Sequence, residues 1–417
     1  MTPDTTRVTD KLYADATPTL PRTRILYVYP DTMGPSATRE RNALHFLSAF
    51  LCGDMIPVFV PRRHDEARVL AETKDAIGDF VLHPVNTSVR IPILKQLIEA
   101  TRMLATARRL RLQLRRRGQR YDAIVAHGPY RTGFVGLLLS RLWRLPLVVE
   151  FPGHPTRALA LDRSVVGRVK SALAPALVGI IAKHVEGVRL LYPTQLDGVV
   201  SLRSEATPHR VHVFHEFVPV GSIRPGSVKK PVILFVGFPW YLKGVDILIA
   251  AFHRLCNDFP DVKLKIVGFC PDRAPWETLA KGNPNIEFLG PQLNTAIAEL
   301  MAESQVFVLP SRSEAMGRVL LESMAAGTPV VASRVDGIPH YVFDDVDGLL
   351  FDSEDVTGLE AQLRRLLLSA ALRERLSVEA LRKVNETYSE DAYARAFSSM
   401  VRNAIAERRR RQVRQHH

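Results

Sequence analysis

The stretch that most restricts the fold is Val306–Ser333, VFVLPSRSEAMGRVLLESMAAGTPVVAS. Two short apolar runs without alternation flank a polar loop and a segment whose apolar residues recur at three-and-four spacing. A Gly-Thr-Pro turn at Gly327–Pro329 separates that segment from the second run. This is the pattern of a buried strand, a helix and a second buried strand, and strands of that kind belong to a parallel sheet. Glu314 falls in the loop, and Glu322 falls about one and a half turns into the helix. With the helix starting near Gly317, the amides of residues 315–318 point out of its N-terminus, where the positive end of the helix dipole favours an anion. Two acids suited to hydroxyl groups thus stand beside amides suited to a phosphate.

The same alternation of strand and helix runs through most of the chain, in two series. In the first half, strands are predicted at Arg24–Tyr29, Met55–Val60, Phe80–Leu82, Tyr121–His127, Leu147–Phe151, Val188–Pro193 and Val211–Val213. Helices are predicted at Ile93–Arg117 and at Ser164–Lys183, the latter broken or bent at Pro175. Phe217–Lys230, rich in Pro, Gly and Ser, has no strong period and reads as a linker. After it the alternation restarts with PVILFVGF and ends in helices, the last around Glu390–Arg411. The predicted organisation is a flexible segment 1–22, a Rossmann-like domain 23–216, a linker 217–230, a second Rossmann-like domain 231–385, and a C-terminal helix with a basic tail at 386–417. The fold class is α/β: two doubly wound sheets facing across a cleft.

The net charge of +13 is concentrated in the first half, where residues 1–220 hold 31 Lys+Arg against 19 Asp+Glu. That imbalance calls for an anionic partner: a phosphorylated substrate, an acidic membrane surface or nucleic acid. Seven arginines between Arg102 and Arg117 occupy the faces of one helix not taken by its apolar stripe, which suits either a solvated side or contact with anionic lipid. Cys52, Cys256 and Cys270 have neither pair nor metal-ligand spacing, which fits a reducing cytoplasm. Residues 1–22 lack the apolar run of a secretory signal, and Ala172–Ala182, the longest clean apolar run, is far short of the roughly 20 residues a bilayer span needs. The expected location is the cytoplasm, with the inner membrane face as a variant of it.

Candidate site residues lie where strands end, the usual ligand side of such sheets. Gly34 and Ser36 follow the first strand and suit either an ordinary turn or close approach of a ligand. His127 ends one strand, and Glu150 ends the next ahead of His154 and Arg157. Lys243 and Gly244 lie just before a helix, where the lysine can reach a phosphate. The GxGxxG and P-loop spacings are both absent. Asp345-Val-Asp347 lies in a late turn, a poor setting for a metal.

VGFPWYLKGVDILIAAF, IVGF, IEFLGPQ, VFVLPSRSEAMGRVLLESMAAGTPVVAS and DGIPHYVFDDVDGLLF together resemble the retaining glycosyltransferases of GT-B fold, family 4. The likeness covers nearly all of residues 230–385, with Glu314 and Glu322 as its E-x7-E core, and is looser in the first half. It implies an enzyme moving a hexose or N-acetylhexosamine from a nucleotide-diphosphate sugar, UDP- or else GDP-linked, with retention. The acceptor would be a hydroxyl of a lipid-linked, saccharide or small molecule. It also implies roles: Lys243 on the diphosphate, Glu314 on sugar hydroxyls, and the amides of Met316, Gly317 and Arg318 on sugar and phosphate. Glu322 would take the ribose, Gly34 would close over the diphosphate, and His127 would stand near the transferred sugar. No essential metal or other cofactor is implied. Three positions depart from the family: Phe238 replaces an arginine, His215–Phe217 replace an Asn-Gly, and Ala315-Met316 replace a glycine and an aromatic. Alternatives are a nucleotide-sugar 2-epimerase on the same fold, or a non-catalytic binder of membrane or nucleic acid.

Overall fold

Lys230–Val236 (β11) reads KPVILFV, and its last five residues are buried. A strand apolar on both faces must lie inside a sheet covered by helices on each side. In the computed structural model, which describes residues 22–30, 38–59, 76–86, 91–154, 165–197, 210–219, 223–226 and 228–414, β11 occupies that central place. It pairs in parallel with Lys263–Val267 (β12) on one side and Ser304–Leu309 (β14) on the other. Ile286–Leu289 (β13) continues the sheet beyond β12, and Val330–Ser333 (β15) and Leu349–Phe351 (β16) continue it beyond β14. The order β13-β12-β11-β14-β15-β16 reverses direction between β11 and β14. That reversal opens a crevice at the strands' C-terminal ends.

The first sheet is built in the same way. Thr23–Val28 (β1) pairs in parallel with Leu51–Ile56 (β2) and with Ala123–His127 (β7). Leu147–Glu150 (β8), Gly187–Leu190 (β9) and Val211–Val213 (β10) extend it on the β7 side, and Phe80–Leu82 (β5) extends it beyond β2. Its reversal lies between β1 and β7. Pro92–Arg116 (α2), Arg131–Trp143 (α3) and Val165–His184 (α4) lead to β7, β8 and β9 in turn. Right-handed crossovers in one direction put these three helices on one face of the sheet.

Three expectations change. The second strand begins at Leu51 rather than Met55, because Gly53, at φ 154°, lets β2 run close against β1. A Cβ there would lie 1.9 Å from the Ile25 carbonyl oxygen, so the glycine inside the apolar run is what permits the pairing. Pro175 does not break its helix, which runs unbroken from Val165 to His184. The strand predicted at Val188–Pro193 stops at Leu190, because Leu191 and Tyr192 leave to join the core of the second sheet. Residues 1–21 and the turn carrying Gly34 and Ser36 lie outside the described residues.

Beyond Leu191 and Tyr192, the described chain passes between the two cores at two further, neighbouring points. Phe217 packs in the first core and Val218 in the second; later, Tyr388 packs in the second and Tyr393 in the first. The Val218 amide donates to the Tyr388 carbonyl at 3.0 Å, so the crossings are bonded to each other. Glu390–Arg414 (α11) then lies along the first sheet, burying Tyr393, Phe397, Met400 and Val401 against residues that include Tyr27, Val125 and Val148. Arg408 reaches Glu186 at 2.9 Å, fastening the helix beside β9.

Candidate active site

The second domain supplies one wall of the cleft from the two strands at its reversal. After β11, Gly237 begins a turn that ends at Gly244, φ 70°, the N-cap of Val245–Leu255 (α5). Gly244 packs so tightly that a Cβ would lie 1.9 Å from the Pro310 carbonyl oxygen. The Arg312 amide also donates to the Leu242 carbonyl at 2.8 Å, so the loops after β11 and β14 are held together. Lys243 and Glu314 meet across this seam as a partly buried ion pair.

Glu314 is fixed from behind. Its amide donates to the Asp336 carboxylate at 3.1 Å, and its carbonyl accepts from Gly337 at 3.1 Å. Gly317, φ 65°, then caps Arg318–Ala325 (α8), beginning the helix where the sequence placed it. The Met316 and Gly317 amides have no protein acceptor among the described residues, which leaves them for a ligand. Glu322 pairs with Arg318 at 2.7 Å, one turn back on the same helix.

Arg312 does not stand in for the arginine that the family resemblance would put at Phe238. Arg312 is bound bidentately to Asp246 at 2.8 and 2.7 Å, contacts Glu354, and lies over the Tyr241 ring at 4.2 Å. It is a strut between the loops. Phe238 is exposed and packs edge-on against Phe269, ring centres 5.5 Å apart. Asp345 is held by Arg365 and Arg375 at 2.9 and 2.7 Å, and Asp347 by Lys383 at 2.7 Å, so this pair of acids braces the domain's far edge.

The first domain forms the opposite wall. Gly153, in the loop after β8, faces Ala315; a Cβ there would lie 3.9 Å from the Ala315 Cβ. The same loop carries His154. His127 ends β7 beside β8, in register with Glu150. Its Nδ1 lies 3.2 Å from Glu150 Oε2, which also accepts from the Tyr27 hydroxyl; Arg189 donates to Oε1 at 2.6 Å. Burial opposes the charged form of Glu150, but the His127 hydrogen bond, the Arg189 charge and the Tyr27 hydroxyl outweigh it and bring the pKa down to about 2. Arg189 lies against Phe214 and Tyr393 and sits 3.9 Å from Glu216, the last residue before the linker. His127, Glu150, Arg189, Tyr29 and Glu216 border a cavity of about 30 Å³, room for one or two waters. Beside it, burial and the charges of Arg189 and Lys383 push the His215 pKa down to about 4, keeping that ring neutral.

The structure therefore gathers Lys243, Glu314, Met316, Gly317, Arg318 and Glu322 on one wall and places His127 on the other. Sequence reasoning passed over Tyr27, Arg189 and the tie between His127 and Glu150. The legible signal was a charged residue on each of two apolar strands, Glu150 and Arg189.

Comparison with known proteins agrees with the fold of two parallel sheets. A family model described as "Glycosyl transferase 4-like domain" matches residues 59–215, and one described as "Glycosyl transferases group 1" matches residues 223–383. A D-inositol 3-phosphate glycosyltransferase of Mycobacterium sp. (strain KMS) is 31% identical over 57% of this chain and 56% of its own length. One from Mycobacterium bovis (strain BCG / Pasteur 1173P2) is 30% identical over 70% of this chain and 64% of its own. The chain thus spans less than two thirds of the curated relatives it matches. Among solved structures, the sucrose-phosphate synthase (tll1590) from Thermosynechococcus elongatus superposes with a TM-score of 0.74 at 19% identity, over 92% of this chain and 100% of that one. Anabaena Alr3699/HepE in complex with UDP and glucose gives 0.67 at 15%, over 90% and 98%. Two family models in tandem and two parallel sheets of matching topology show that the chain belongs to the glycosyl transferases group 1, with a GT-B fold.

Proposed function

We propose that the protein is a retaining glycosyltransferase that moves a hexose or N-acetylhexosamine from a UDP-sugar to a hydroxyl group of its acceptor. The observation that carries this reading is the convergence of Lys243, Glu314 and the N-terminus of α8 at the reversal point of the second sheet. On ligand binding, Lys243 exchanges Glu314 for the diphosphate, and Glu314 turns to the sugar's hydroxyls, which an acceptor-only carboxylate suits. Glu322 takes the ribose hydroxyls in the same way. As the bond from the anomeric carbon to the diphosphate oxygen breaks, negative charge grows on that oxygen, and Lys243 with the helix amides stabilises it. These positive groups act without a metal ion. The acceptor oxygen bonds the anomeric carbon on the same face, and its proton passes to the diphosphate oxygen. His127 lines the acceptor side.

The test is a panel of UDP-, GDP- and dTDP-sugars assayed for protection from thermal unfolding. UDP-sugars are expected to raise the melting temperature most; a panel without any stabilising member would contradict the reading. Turnover of the sugar nucleotide to an epimer without an acceptor would favour the 2-epimerase alternative.

The acceptor side also suits an anionic bilayer, where a lipid-linked acceptor would reside. The only acid of α2, Glu99, is buried and paired with Arg131, so the exposed charges of that helix are all basic. Leu97 and Leu112 on α2, Phe134 and Leu142 on α3, and Leu173 and Ile180 on α4 are exposed on the neighbouring helices of the same layer. Among the described residues, no helix is long and apolar enough to cross a membrane. Each basic residue near an anionic surface contributes about 1 kcal/mol. The protein is expected to sediment with phosphatidylglycerol vesicles and not with phosphatidylcholine vesicles. Reversing Arg108, Arg109 and Arg116 to glutamate is expected to lower that binding at least 100-fold; undiminished binding by the triple variant would rule this surface out.

A further inference from the structure

The hydrogen bonds around Glu150 assign a proton. Arg189 donates to Oε1 at 2.6 Å and has no acceptor to offer. Oε2 accepts from the Tyr27 hydroxyl, whose pKa is raised well above the usual tyrosine value by burial and then by the Glu150 charge, so that hydroxyl keeps its proton. Oε2 also faces His127 Nδ1 at 3.2 Å. Glu150 is 1% exposed and ionised, so it can only accept. Nδ1 must therefore carry hydrogen. Nε2 makes no hydrogen bond among the described residues and is not among their buried unpaired atoms, so it remains accessible to a ligand.

We propose that Glu150 is a positioning residue, which holds His127 as its Nδ1–H tautomer and leaves Nε2 as a hydrogen-bond acceptor for the acceptor's reacting hydroxyl group. The proposal rests on the transferase reading above. A hydroxyl that donates to Nε2 points a lone pair away from the imidazole, and its proton is held in place until the diphosphate oxygen receives it. Arg189 fixes which carboxylate oxygen serves which donor. Its reach to Glu216, at 3.9 Å, ties the same arrangement to the residue that precedes the interdomain linker.

Glu150→Gln makes the test sharp, because the substituted amide has one accepting and one donating end. Arg189 donates only, so the amide oxygen must face Arg189 and the NH2 group must face His127. Nδ1 then becomes the acceptor, and the proton moves to Nε2. In ¹⁵N-histidine-labelled protein at pH 8, the parent is expected to show His127 as Nδ1–H and Glu150→Gln as Nε2–H. With the donor sugar nucleotide, kcat of the variant is expected to fall about 100-fold, within the usual worth of a positioned acid–base group. KM for the donor and the nucleotide-induced rise in melting temperature are expected to stay within twofold of the parent.

A parent that shows Nε2–H or imidazolium at pH 8 overturns the proposal, and this measurement needs no variant to fold. A Glu150→Gln protein with the parental tautomer, or with parental kcat, overturns it too. Because the tautomer is read without substrate, a parent inactive with every sugar nucleotide counts against the transferase reading alone.

Discussion

With Lys243 replaced by alanine, sugar transfer is expected to fall about a thousandfold, while the melting temperature of the unliganded protein moves by no more than a few degrees. The size of the loss follows from where charge appears in the reaction. A preorganised cation facing a leaving group stabilises it only as the bond breaks, and losing one such donor typically costs two to three powers of ten in rate. The stability change is small because Glu314 keeps 15% side-chain exposure on the cleft, so water solvates it once the ammonium group is gone. The two measurements are kcat/KM with the preferred sugar nucleotide and a thermal melt. An active Lys243→Ala protein would remove the lysine from the reaction centre, and a large drop in melting temperature would recast the Lys243–Glu314 pair as mainly structural.

Gly244→Ala is expected to lower both stability and activity. The backbone there has φ 70°, and a Cβ would meet the Pro310 carbonyl oxygen at 1.9 Å, a clash with backbone that no side-chain rotation relieves. Strain of this order costs about 3 kcal/mol. Its functional effect is geometric: Pro310 opens the loop that carries Glu314, and Gly244 follows Lys243, so forcing them apart separates the two groups proposed to share one ligand. Gly118→Ala is the control, with φ 67° and nothing within 4 Å of the added carbon. It is expected to cost about 1 kcal/mol and no activity. Urea unfolding and kcat of the two variants decide the matter; equal stabilities would show that the β11–β14 seam yields more readily than its contacts imply.

How much of this was legible in the sequence differs between the two walls of the cleft. Lys243, Glu314, Gly317 and Glu322 belong to βα units in which strand, loop and helix are consecutive, so local pattern alone placed them. The helix did begin at Arg318 after a Gly317 cap. His127 was legible as a strand end. Its partner was not, because Glu150, Arg189 and Tyr27 lie on three other strands, and only the strand order brings them together. Gly53 misled for a related reason: a glycine inside an apolar run reads as an interruption until the neighbouring strand is known. Arg312 stands two residues before Glu314, and only its contacts with Asp246 and Glu354 show that it braces the loops.

The return of α11 to the first sheet has a consequence for how the chain is made. A ribosome delivers residues 23–216 long before Tyr393, Phe397, Met400 and Val401, yet those four side chains cover one face of the first sheet. Until they emerge, Tyr27, Val125 and Val148 have no such cover, and the second domain must be synthesised while the first waits half-clad. The first domain is thus early in the gene and late to finish folding.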